Sequence, residues 1–176
     1  MADEQTTTST SNSTETPEKQ LVLQKIYVKD LSFESPKAPG IFATNVSPQM
    51  QLDIRSDNQD IGGGNVEVSL TLTVASKDKD DTLFLIEICQ AGIFMIEGYT
   101  SQERSALIGS FCPNTLYPFA REAVADIATK GGFPQLLLQP INFDALYTQA
   151  VQERVAQTTA GGTAEAATAP ETGEPH

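Results

Sequence analysis

The stretch Leu83–Gly98, LFLIEICQAGIFMIEG, limits what this chain can fold into more than any other. Read as a strand, it carries Phe84, Ile86, Ile88, Phe94 and Ile96 on one face. Leu83, Leu85, Ile93 and Met95 lie on the other. A half-solvated strand alternates apolar and polar residues, whereas one covered on both sides does not. A chain of 176 residues can cover one face with its own helices. The second face is expected to meet another subunit or a ligand.

That length fits one domain with a sizeable core. Residues 2–19 are dominated by Ser, Thr, Asn, Glu and Pro, and 158–176 by Thr, Ala, Gly, Glu and Pro. Such segments cannot bury enough apolar area to offset ordering entropy. The chain therefore divides into tails at 1–20 and 158–176, expected to be disordered, and a folded part at 21–157. The N-terminus lacks the basic and apolar regions of a signal peptide. No run approaches the ~20 apolar residues of a membrane span. Cys89 and Cys112 lack the paired spacing of a zinc or thioredoxin motif, so two reduced, mostly buried thiols and a cytoplasmic location are expected. A net charge of −12 argues against nucleic acid and suits a basic partner.

Taken in order, Leu21–Glu34 reads as a long strand. Leu31 and Phe33 point one way while Asp30, Ser32 and Glu34 point the other. Ile26 and Val28 fall on that second face, so the phase changes near Lys29; a bulge, or burial on both sides of the first half, would account for it. Ser35–Pro48, with Pro36, Pro39 and Pro48, is a long crossing loop carrying Ile41 and Phe42. Gln49–Arg55 alternates as a strand, with Met50, Leu52 and Ile54 on one side. Asp57–Asn65 reads as a flexible hairpin connection. Its Gly62–Gly64 run is no phosphate loop, since no Lys-Ser/Thr or helix follows. Val66–Val74 is a strand with Val66, Val68, Leu70, Leu72 and Val74 inward, and Ser76–Asp81 is a charged turn.

Beyond Gly98 the period becomes helical. Ser101–Ser110 is a helix capped by Thr100 or Ser101, broken or kinked at Phe111-Cys112-Pro113. Leu116–Lys130 resumes it, with Pro118 in its first turn and Gly131 as its stop. Gly132–Pro140 is a Pro-bounded loop, and Asn142 caps a final helix over Phe143–Gln157. Strands followed by helices predict an α+β fold: a four-stranded antiparallel sheet with C-terminal helices on one face.

The lone histidine is His176, in the C-terminal tail. A Ser-His-Asp or Cys-His site would lack a fixed base, and histidine metal sites go with it. Asp30, Glu34, Glu87 and Glu97 could adjoin in a sheet, yet nothing raises them above a charged surface. No enzyme activity, metal or cofactor is expected.

Over Leu21–Ala156 the chain resembles the SecB protein-export chaperones. The likeness rests on Tyr27-Val28-Lys29-Asp30-Leu31-Ser32-Phe33-Glu34 with Pro36 and Ala38-Pro39, on Gln90-Ala91-Gly92-Ile93-Phe94 and on Cys112-Pro113-Asn114. It continues through Leu116-Tyr117-Pro118-Phe119-Ala120-Arg121-Glu122, Gly132-Phe133-Pro134-Gln135-Leu136 and Pro140-Ile141-Asn142-Phe143-Asp144-Ala145-Leu146. Many matches in the right order make it specific. The chain departs from the family in lacking Trp and in carrying Val46 where an aromatic is common.

The resemblance implies subunits whose sheets pair into dimers, with two dimers stacking into a homotetramer. Ile86, Ile88 and Gln90, and the helix from Gln102 onward, would lie at the contact between dimers. It implies ATP-independent holding of unfolded secretory preproteins and their delivery to the SecA motor. SecA's basic, zinc-containing tail would dock on Asp30, Ser32, Glu34, Leu85 and Glu87, the zinc belonging to SecA. An apolar client groove would lie between the crossing loop, the second strand and the last helix. Phe42, Met50, Leu52, Ile54, Tyr117, Phe133, Leu138, Phe143 and Leu146 would line it. Two other readings compete: a holdase dedicated to another client such as an antitoxin, and a small-ligand-binding protein.

Overall fold

A computed structural model describes residues 18–45, 47–79 and 81–161, with side chains described up to 157. The readings made for most of both tails, for Val46 and for His176 lie outside those residues. One antiparallel sheet runs in the order β1-β4-β3-β2. Its strands are β1 (Gln20–Glu34), β2 (Gln49–Gly62), β3 (Asn65–Asp78) and β4 (Asp81–Glu97). A short helix, α1 (Ser101–Ala106), a π turn (Leu107–Phe111), α2 (Cys112–Lys130) and α3 (Phe143–Gly161) follow. The sheet and the helices after it match the α+β expectation.

The core lies between one face of the two inner strands and α2. Val66, Val68, Leu70, Leu72 and Val74 of β3 are buried beside Phe84, Ile86, Ile88, Phe94 and Ile96 of β4. The other face of β4 is only partly covered by the chain: Ala91 is buried, Leu85, Ile93 and Met95 are half-buried and Glu87 is exposed. Leu83 escapes the alternation, because the β3–β4 register shifts beside it and it is buried with Phe84.

β1 carries the bulge expected at Lys29 and a second at Gln24. Each inserts one residue and reverses the side-chain phase. Leu21, Leu23, Ile26, Val28, Leu31 and Phe33 consequently pair with the core-facing positions of β4. Without the bulges, Ile26 and Val28 would turn to the open face. The strip Asp57–Gly62, expected as a loop, belongs to β2 and pairs with β3. The hydrogen-bond ladder outweighs its low strand propensity. The turn itself is Gly63–Gly64, both at positive φ.

Ser101–Lys130 is one helical run rather than two. Pro113 has no N–H to bond Gly109 and would clash with its carbonyl. The π turn absorbs this: Cys112 N–H donates to Leu107 O, five residues back. Pro118 accordingly falls inside α2, not in a first turn. α2 can approach β4 because residue 92 is Gly. A Cβ there would stand 2.9 Å from Leu116 Cδ2. The helix ends as Gly132 takes φ +84. Asn142 caps α3 through its Oδ1, which accepts from Ala145 N–H at 3.0 Å.

Thr100 and Glu103 form a capping box at the start of α1. Lys19 Nζ reaches Glu103 at 2.6 Å, so residues before 21 contact α1. The Lys19 bond, then the Thr100 backbone and hydroxyl, hold the Glu103 carboxyl at about 2 instead of 4.5. A lowered folded-state pKa stabilises above the unfolded value and fades as pH falls through the folded one. Hydrogen exchange at the α1 amides should therefore accelerate as pH drops from about 4.5 towards 2, relative to the α2 amides. Glu103→Gln should abolish that pH dependence.

Candidate functional site

Two surfaces lie on opposite sides of the sheet. On the helix side, Phe133 follows α2 and packs against three rings. Its centroid lies 4.7 Å from Phe84, 5.3 Å from Phe42 and 6.3 Å from Phe33. Sequence reasoning named Phe42 and Phe133 but missed Phe33 and Phe84. Their signal was their inward phase on adjoining strands, where Phe33 pairs with Ile86, two residues from Phe84. The cluster needs Gly131, where a Cβ would stand 2.3 Å from Phe33 Cζ. Phe42, in the turn Gly40–Ala43 of the crossing loop, remains 54% exposed.

Met50, Leu52 and Ile54 share the helix-side face of β2, opposite Ser76, Val74 and Leu72. Leu52 and Ile54 are half-buried against the core and Met50 is exposed. Tyr117 and Phe143 meet edge-on at 5.7 Å, and the Tyr117 hydroxyl donates to Gln139 O beside the half-buried Leu138. Both rings are buried, which corrects their placement as open groove lining: in this structure they brace α3 and the loop. Burial, opposed by Arg121, raises the Tyr117 phenol. Leu146, one turn along α3, is exposed. Phe133 also walls a cavity of about 720 Å³ between α2 and Phe133–Leu137, lined by Arg121, Ala125, Thr129 and Leu136.

On the open side, Ser32 pairs with Glu87, Glu34 with Leu85 and Asp30 with Cys89. The five predicted docking residues thus form one contiguous patch. Asp30, Ser32, Glu34 and Glu87 are exposed. Thr73 Oγ1 donates to Glu87 Oε2 at 3.2 Å. Glu97, opposite Gln20, lies at the other end of β4. Among the described residues no His, Cys, Asp and Glu cluster could hold a metal, and no helix is long and apolar enough to cross a membrane. Cys89 and Cys112 are free thiols, and burial pushes Cys112 up to about 12.

Ile86, Ile88 and Gln90 do not sit on any surface. They are 0%, 0% and 3% exposed and face the core of the chain itself. A direct contact between dimers through them is therefore corrected, since they have no area left to bury. Gln90 serves β1 instead, where its Nε2 donates at 2.9 Å to Tyr27 O, beside the Lys29 bulge.

The protein-family model for the preprotein translocase subunit SecB matches residues 14–154. The protein-export protein SecB of Methylococcus capsulatus is 51% identical over 142 residues, covering 81% of this chain and 92% of that protein. That of Nitrosococcus oceani is 51% identical, covering 88% and 94%. Identity at this level over most of both chains marks a chaperone of protein export. The chain belongs to the SecB family. A SecB-like chaperone of Mycobacterium tuberculosis, solved with a ChAD peptide from an antitoxin, shares the fold at TM-score 0.59 and 16% identity, covering 69% of this chain and 90% of that one.

The aromatic cluster can be tested directly. Phe133→Ala removes the ring that joins the other three and should cost about 2 kcal/mol or more in urea unfolding. Gly131→Ala should also lower stability, because its Cβ must displace Phe33.

Proposed function

We propose that this protein is an ATP-independent holdase of the export pathway. It keeps unfolded secretory preproteins competent for translocation and hands them to SecA in the cytoplasm. The observation that carries the reading is the separation of an apolar, aromatic surface from an acidic patch by the thickness of one sheet. Unfolded chains expose large apolar side chains that folded proteins hide. Each one buried contributes about 1.5–3 kcal/mol, so several weak anchors hold a client without a sequence code. Phe42, Met50, Leu52, Ile54, Phe133, Leu138 and Leu146 supply the anchors. The patch Asp30, Ser32, Glu34, Leu85 and Glu87 takes SecA's basic, zinc-containing tail. No cofactor or catalytic step is needed, and the zinc travels with the partner.

The working form is a homotetramer built as a dimer of dimers, which presents several client surfaces to one chain and gains avidity. β1 lies at a sheet edge, and an unpaired edge favours pairing with another copy. Phe111 and Phe119 stand exposed on the helical run, where stacking of dimers would cover them. Ile86, Ile88 and Gln90 influence that stacking through α2, which they support. The polar tails at 1–20 and 158–176 flank this domain. The antitoxin-dedicated alternative draws on a fold likeness at 16% identity and is weaker than the export reading.

Suppressed light scattering by an aggregating preprotein, without nucleotide and at tetramer mass, is the expected result; a monomer that leaves scattering unchanged overturns the reading. Asp30→Lys with Glu87→Lys should weaken SecA binding at least tenfold and leave aggregation suppression intact. Leu52→Gln with Ile54→Gln should do the reverse. Equal loss of both activities in either variant would refute separate surfaces.

A further inference from the structure

We infer that Glu67 is a positioning residue for the acidic patch: it draws Lys29 across the sheet and away from Asp30, Glu34 and Glu87. The inference rests on the reading of that patch as a docking site for a basic segment.

Lys29 is the cation nearest the patch in sequence, directly before Asp30. Left free, its side chain could fold onto Asp30 and cancel the charge that a basic partner would meet. It sits instead at a β1 bulge, and its Nζ lies 2.8 Å from Glu67 Oε2 on β3. Glu67 stands two strands away, opposite Ile93, so the pair bridges β4. Tyr27 completes the arrangement. It pairs with Ala91, whose small side chain lets the phenol pass over β4, and its hydroxyl donates to Glu67 Oε1. Both carboxylate oxygens of Glu67 are thus engaged, and its side chain is 14% exposed. Lys29 and Tyr27 together hold the Glu67 carboxyl below its ordinary value, and the hydrogen bond to Glu67 raises the Tyr27 phenol. Among the described residues no cation pairs with Asp30, Glu34 or Glu87, and each remains available to a partner. The remaining β1 lysine on this face, Lys25, pairs with Ile93 on the far side of Tyr27.

The test uses the full-length protein and a synthetic Lys/Arg-rich peptide at low ionic strength. Glu67→Gln keeps the shape but releases Lys29. It should weaken peptide binding by about three- to tenfold, because a freed cation now faces the ligand. Lys29→Met in the Glu67→Gln background should restore affinity to within about twofold of wild type. A merely structural role for Glu67 would not be rescued by removing Lys29. Unchanged binding in Glu67→Gln, or a double variant as weak as the single one, overturns the inference. Should the wild-type protein ignore the peptide, the docking reading fails on its own. The positioning is then judged by NMR: the Tyr27 phenol midpoint must fall, and Lys29 Nζ proton exchange must quicken, in Glu67→Gln. No change in either overturns it.

Discussion

Everything in this fold depends on how closely α2 lies against the inner strands. Leu116 seats on Gly92, where any side chain would push the helix away. That contact closes a core of β-branched and large apolar residues from β3 and β4. Apolar burial of this extent dominates the folding free energy. It also explains the local exceptions to regular structure. The π turn keeps the helix continuous past Pro113, and the paired bulges keep β1 in phase with the core. Gln90 then supplies a hydrogen bond to a carbonyl beside one bulge. Gly109 plays the matching part for α3, since a Cβ there would stand 2.3 Å from the Tyr147 ring.

Covering one side of the sheet leaves the other free for different chemistry. The helix side gathers Phe133, Phe42 and the β2 strip, while the open side carries carboxylates and hydroxyls in register. A client and a charged partner would then contact different atoms, so occupancy of one surface need not displace the other. The Tyr27–Glu67–Lys29 bridge on the open side gives that face an internal order beyond its net charge.

Much of this was legible in the residues. The alternation of Val66–Val74 reported its inward face without error, because period two has one interpretation when every second residue is branched and apolar. The phase change at Lys29 announced its bulge. The acidic face of β1 was legible too, and β1–β4 pairing sets Ser32 beside Glu87 on it. Other features were illegible for physical reasons. Asp57–Gly62 has the composition of a turn but is held by the ladder of its partner strand. Tyr117 and Phe143 belong to a cluster of large apolar residues, and residue type cannot tell a ring that lines a groove from one buried beneath it.

The sequence by itself determined the α+β order, the inward faces of β3 and β4, the acidic face of β1 and the absence of a fixed catalytic histidine among residues 1–175. These follow from side-chain period and residue chemistry, which are local. Only the tertiary structure decided that Ile86, Ile88 and Gln90 lie inside the core. It alone brought Phe33 and Phe84 to Phe133, and Lys29 to Glu67. Those outcomes depend on register and on close approach between elements far apart in the chain, which no local pattern encodes.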